Sequence, residues 1–111
     1  MSVILDLTDL SGAYGTRLLA EAGHEVIRIE PTSGDRLRRL GPHLAEHLDL
    51  EHGPYHMFLN MGKKSVTLDL KNDAGCNVLL DLVRIADVLI SNGPLPVDET
   101  VLRQIKARLV V

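Results

Sequence analysis

Gly12 and Gly15 stand in a turn, Asp9-Leu10-Ser11-Gly12-Ala13-Tyr14-Gly15-Thr16, that joins an apolar run to a helical pattern. The free N–H groups and the dipole at the start of such a helix suit an anion, a phosphate above all. The same glycines also serve a tight turn with close packing, and their spacing leaves both readings open. The three-glycine dinucleotide fingerprint is incomplete here. Glu30 ends a second apolar run, where a dinucleotide fold places its ribose-binding acid; a solvated strand-end carboxylate is the simpler reading. Arg36-Leu37-Arg38-Arg39 gathers three guanidinium groups suited to bidentate phosphate contacts. Taken alone, it reads as a solvated basic turn paired with neighbouring acids, and Lys63-Lys64 as a charged entry to a strand.

Other chemistries find less support. His43, His47, His52 and His56 are spaced by four, five and four residues, but no thiolate or acidic partners accompany them in a metal-site pattern, so no metal is expected. No serine sits in a Gly-x-Ser-x-Gly elbow. Cys76 follows Gly75 near a helix start, a setting that can activate a thiol; a buried structural thiol is the preferred reading.

The elements that position these groups follow from periodicity. Val3–Leu7 and Val26–Ile29 read as strands. Between them Tyr14, Leu18, Leu19 and Ala22 fall on one helical face, with Asp9 or Ser11 available as cap and Gly23 where a left-handed C-terminal residue is expected. Residues 31–63 form a long irregular loop punctuated by Pro and Gly, with a short helix expected around 45–50; loops of that length usually carry function or a contact. Ser65–Leu70 alternates like a strand. Asn72 or Asp73 caps a helix with its stripe at Val78, Leu79, Leu82, Val83 and Ala86. Val88–Ile90 is a further strand, a helix over 98–106 buries Val101, Leu102 and Ile105, and Leu109-Val110-Val111 resembles the start of another strand. Strands alternating with helices predict an α/β, Rossmann-like parallel sheet built of βαβ units.

The totals agree with one such domain. The chain has 111 residues, 45% hydrophobic and 24% charged, with two Tyr, one Phe and no Trp, so Leu, Val, Ile and Ala must make the core. A net charge of -3 argues against a nucleic-acid partner. No apolar stretch approaches the roughly 18 residues of a membrane span. A single cysteine allows no internal disulfide. These features point to a soluble, cytoplasmic protein.

Taken in order, the motifs resemble those of the family III CoA-transferases, which include formyl-CoA transferases, carnitine CoA-transferases and α-methylacyl-CoA racemases. The resemblance runs through Ile4-Leu5-Asp6-Leu7-Thr8, Gly12-Ala13-Tyr14-Gly15-Thr16, Gly23-His24-Glu25-Val26-Ile27-Arg28-Ile29-Glu30 and Gly34-Asp35 with Arg38. It continues through Leu59-Asn60-Met61-Gly62-Lys63-Lys64-Ser65-Val66-Thr67-Leu68-Asp69-Leu70-Lys71 and Ala86-Asp87-Val88-Leu89-Ile90-Ser91-Asn92. It covers nearly the whole chain.

The resemblance implies the N-terminal CoA-binding segment, residues 1–111, of a larger and here incomplete CoA-transferase fold. By position Ser11, Gly12, Leu59, Asn60, Met61, Gly62 and Asn92 match residues along coenzyme A, with Lys63 and Lys64 as phosphate partners. The arginine that often follows the strand-2 glutamate is Pro31 here, which passes that contact to Arg36 or Arg38. The Phe usual after the asparagine is Gly93, and the first turn is one residue short. The implied reaction transfers CoA between an acyl-CoA and a carboxylic acid through an aspartyl-CoA intermediate. Its nucleophilic Asp is expected beyond this chain, so Asp69, Asp87 and Asp98 are not assigned that role and no catalytic residue is expected within it. A homodimer, or a partner chain supplying the missing part, is implied. The alternatives are a non-catalytic CoA- or nucleotide-binding module, one subunit of a split transferase or racemase, and an NAD-type domain using Glu30.

Overall fold

The computed structural model describes residues 1–40, 53–106 and 109–111. The short helix expected around 45–50, and His43, His47 and His52, lie outside the described residues. Four parallel strands, β1 (Val3–Leu7), β2 (Glu25–Glu30), β3 (Lys64–Thr67) and β4 (Val88–Ser91), form one sheet in the order β3-β2-β1-β4. Helix α1 (Leu10–Glu21) links β1 to β2. A 3-10 turn at Arg36–Arg38 and helix α2 (Pro54–Leu59) follow β2; α3 (Asp73–Ile85) links β3 to β4, and α4 (Glu99–Ile105) comes last. Val110 bridges Val88 in parallel, so the chain ends by beginning to pair beside β4. The parallel α/β architecture expected from the alternating pattern is present.

Side chains alternate across a strand, and here the two faces of the sheet differ sharply in chemistry. Leu5, Ile27, Ile29 and Leu89 point to one face and pack with Leu68, Leu79, Val83, Ala86, Leu102 and Leu109 under α3 and α4. That is the apolar core, and the α3 stripe contributes to it at Leu79, Val83 and Ala86, while Val78 stays exposed. The other face carries Asp6 of β1 in register with Arg28 of β2, which is in turn in register with Ser65 of β3. This charged face lies beneath α1, the 3-10 turn and α2, whose apolar contacts reduce to Ala13, Leu37 and Leu59, with Leu40 beside them.

The charged face explains a departure from the periodicity of α1. Tyr14 and Leu18, expected to turn inward, are exposed, while Ala13 and Thr16 are buried. Only small side chains let the helix approach the sheet, and the hydroxyl of Thr16 donates to Asp6 Oδ2 at 2.7 Å. Asp9 caps α1 by position but not through its carboxylate, which accepts from Arg36 Nε at 2.9 Å. Two other expectations hold locally: Gly23 follows α1 with φ 97°, and the Asn72 side chain accepts from Gly75 N. Asp98, expected as the first residue of the last helix, instead caps it, its side chain accepting from Thr100 N. The third strand is shorter than its alternation suggests, ending at Thr67. Cys76 is half-buried and donates to the Leu70 carbonyl oxygen at 3.3 Å.

Candidate functional site

The strand order reverses direction between β1 and β4, and in open parallel sheets that crevice beyond the strand tips is where ligands bind. Two sequence-predicted residues meet there. Asn92, just after β4, accepts from the backbone N of Asp9 at 2.7 Å through Oδ1, and its Nδ2 donates to Ser11 Oγ. One amide side chain thus ties the loop after β4 to the first turn of α1. Gly12 lies directly behind: a Cβ there would fall 2.7 Å from Thr8 Cβ, so its lack of a side chain meets a packing requirement. Gly15 has nothing within 4 Å of that position.

A second group of predicted residues approaches the same turn from the other side. Leu59 is buried with Ala13 and Leu37. Asn60 is buried, and its Nδ2 lies 3.0 Å from His56 Nδ1. Met61 is exposed, and Gly62 takes the left-handed conformation at φ 82°, which turns the chain into β3. Lys63 sends its ammonium under α1, to Asp6 Oδ2 at 2.9 Å, Asn60 Oδ1 at 3.0 Å and the Ala13 carbonyl oxygen at 3.1 Å. Its neighbour Lys64 points to solvent beside Glu25.

Buried charge is the electrostatic signature of this region. Asp6 accepts from Thr8 N at 3.0 Å, Thr8 Oγ1 at 2.6 Å and Thr16 Oγ1 at 2.7 Å, and Arg28 NH1 lies 3.1 Å away. Burial works to raise the Asp6 pKa, yet Arg28, Thr8 and Lys63 outweigh it and hold the carboxyl below its ordinary value. Burial, aided by the Arg28 charge, pulls the Lys63 pKa down against Asp6. Arg28 also clasps Asp35, whose second oxygen accepts from Leu37 N at 3.0 Å and so starts the 3-10 turn.

That turn delivers Arg38 to Glu30, with Nε at 2.7 Å from Oε1 and NH2 at 2.9 Å from Oε2. Glu30 is 3% exposed, which corrects its reading as a solvated carboxylate: with Arg38 and Ser65 in place it is part of the charged layer. Arg36 reaches Asp9, and Arg39 reaches the Ser33 carbonyl oxygen. The basic segment Arg36–Arg39 is therefore committed to protein acceptors at each of its three arginines.

Several clefts border these groups. One, about 410 Å³, is lined by Glu30, Gly34, Arg38, Ser65 and Thr67. Another, about 500 Å³, opens over the strand tips between Leu7, Glu30, Thr32, Leu68, Lys71, Ser91 and Pro94. None of the sequence-predicted site residues lines it. Its walls are strand-end positions and the segments after them, and the strand-tip rule was the one signal able to find them. Asp69 also lines this cleft, with its carboxylate accepting from Lys71 N at 3.0 Å and Asn72 Nδ2 at 3.1 Å. A third, about 200 Å³, gathers the predicted Arg38, Asn60 and Lys63 with Arg28, His56 and Ser65. Among the described residues no cluster of His, Cys, Asp or Glu is placed to hold a metal ion, and no helix is long and apolar enough to cross a membrane.

Comparison with known proteins gives one consistent result. The sequence profile of CoA-transferase family III matches residues 2–111. A succinyl-CoA:mesaconate CoA-transferase of Haloarcula hispanica is 39% identical over 90 residues, covering 80% of this chain and 23% of the relative. A succinate–glutarate CoA-transferase of Agrobacterium fabrum is 41% identical over 86 residues, 75% of this chain and 22% of the relative. Among solved structures, the Rv3272 protein of Mycobacterium tuberculosis superposes with a TM-score of 0.81 at 29% identity, over 97% of this chain and 30% of that one. A CAIB/BAIF family protein from Brucella suis superposes with a TM-score of 0.78 at 29% identity, over 94% of this chain and 29% of that one. The chain thus spans less than a quarter of the length of these two curated relatives.

Proposed function

Because the chain belongs to CoA-transferase family III, we propose that it forms the CoA-binding part of an enzyme that moves CoA between an acyl-CoA and a carboxylic acid. The observation that carries this reading is the meeting of Ser11, Asn92 and the Asn60–Lys63 turn around the first turn of α1, beside the cleft at the strand-order reversal. An elongated ligand fits such a place: it can lie along the exposed Met61–Gly62 backbone and reach the strand-tip cleft, with Ser11, Gly12, Leu59, Asn60 and Asn92 bordering it. Arg38 reaches the rim of this region from Glu30 and neutralises the layer beneath.

The chemical step in this proposal is covalent carboxylate catalysis. A carboxylate attacks the thioester carbonyl and expels CoA thiolate, leaving a mixed anhydride; the thiolate then attacks the enzyme's own carbonyl of that anhydride, forming the enzyme–CoA thioester and releasing the donor as its free carboxylate. The acceptor carboxylate repeats these steps in reverse and leaves as the new acyl-CoA, with the enzyme carboxylate restored. The attacking carboxylate is proposed to come from outside these 111 residues. Supporting this, Asp87 accepts from Val3 N at 2.8 Å and Asp98 caps α4, so both have structural roles away from the cleft. A second copy or a further polypeptide segment supplies it, and a cytoplasmic setting suits the CoA thioesters.

The dinucleotide alternative asks Glu30 to hold a ribose, and Glu30 is buried against Arg38 and Ser65 instead. Calorimetric titration with CoA, and with NAD in parallel, tests the proposal. Binding of CoA without NAD is the expected result. Binding of NAD alone, or of neither, overturns the assignment of the cleft to this chain.

A further inference from the structure

Lys63 has the surroundings of an internal tie. Its side chain is 1% exposed, and an ammonium has three protons to donate. Three acceptors receive them: Asp6 Oδ2 at 2.9 Å, Asn60 Oδ1 at 3.0 Å and the Ala13 carbonyl oxygen at 3.1 Å. These belong to β1, to the turn leaving α2 and to the first half of α1, so one side chain joins three elements whose bonded residues lie up to 54 positions apart along the chain, from Asp6 to Asn60. A ligand phosphate could take a proton only by stripping one of these buried acceptors, at the cost of an unsatisfied group. The compact charge of a lysine matches three convergent acceptors, whereas a planar guanidinium does not.

We infer that Lys63 is a positioning residue, a buried strut that holds the Leu59–Gly62 segment against the β1–α1 turn, and not a donor to the ligand. The inference rests on the proposal that this segment borders CoA, but its structural half is tested without any ligand. Lys64, one residue on and 70% exposed at its side chain, is the natural control.

Amide hydrogen exchange on ligand-free wild type, Lys63→Met and Lys64→Met reads the strut directly. Lys63→Met should speed exchange at the bonded amides of Asn60, Lys63 and Ala13 by about tenfold or more, the scale of one charge-assisted hydrogen bond. β4 should keep its protection, and Lys64→Met should match wild type. Equal exchange in Lys63→Met and wild type overturns the strut. If Lys63→Met fails to fold, the double variant Asp6→Asn/Lys63→Met, which removes both buried charges together, carries the same comparison.

Titration with CoA and with phosphate-free pantetheine then separates strut from phosphate ligand. A strut weakens both ligands by the same factor in Lys63→Met, while a phosphate donor weakens CoA alone and overturns the inference. If wild type binds neither ligand, the CoA reading falls, and the exchange comparison still decides the strut.

Discussion

Replacing Glu30 by Gln should remove a pH-dependent share of the stability of this fold. The Glu30 carboxylate accepts from Arg38 Nε at 2.7 Å, Arg38 NH2 at 2.9 Å and Asp35 N at 2.9 Å, and from Ser65 Oγ. Burial by itself would raise its pKa, but these donors, Arg38 first, lower it from 4.5 to about 2. A depression of that size corresponds to about 3 kcal/mol of folding free energy. The folded pKa lies below the unfolded one, so this contribution is complete above the unfolded value of 4.5 and disappears as pH falls toward about 2. Glu30→Gln keeps the shape but removes the negative charge that accepts from Arg38, Asp35 N and Ser65, for a loss of about 3 kcal/mol near neutral pH. Urea denaturation of both proteins at about pH 7, 5 and 3 reads the difference from the midpoints. The gap should be largest at the first two and shrink at the third. A gap that stays constant down to the lowest pH would refute the reasoning, because the lost interaction would then not depend on ionised Glu30.

Asn92→Ala should weaken CoA binding by about tenfold, since it frees the Asp9 N–H and unties the two loops, with stability falling by about 1 kcal/mol; calorimetry and thermal melting check the two halves separately. Gly12→Ala places a methyl 2.7 Å from Thr8 Cβ and Cγ2, and should destabilise by about 1–3 kcal/mol in urea titration. Gly15→Ala, with open space around it in the interior of α1, should instead stabilise by about 0.5–1 kcal/mol and leave CoA affinity unchanged. Gly75→Ala brings a methyl within 1.9 Å of the Asp69 carbonyl oxygen, so it should cost about 3 kcal/mol or more, visible as a lowered melting temperature and loss of the Asn72 cap.

How much of this was legible beforehand differs from element to element. The stripe Leu79, Val83 and Ala86, the cap Asn72 and the left-handed Gly23 are local features, written in adjacent residues, and they stand where periodicity and cap chemistry place them. The order of motifs along the chain was enough to reach the family. The inward face of α1 was misread, because Tyr14 and Leu18 satisfy helical periodicity while the charged sheet face admits only Ala13 and Thr16. Glu30 was misread for a related reason: its partner Arg38 lies eight positions on, beyond a turn whose course depends on Arg28 gripping Asp35.

The sequence by itself determined the alternation of strands and helices, their polarity and the family to which the motifs belong. Those properties depend on neighbours a few residues apart. Only the tertiary structure decided that Asp6, Arg28 and Lys63 share one buried layer, and that Asn92 closes on Ser11 across 81 positions. A charge read along a strand says nothing of what lies beside it, since the register of parallel pairing is set by connections that the local pattern does not record. Until that register places Asp6 beside Arg28, each is only a polar residue interrupting an apolar run; once placed, each supplies the countercharge that lets the other be buried.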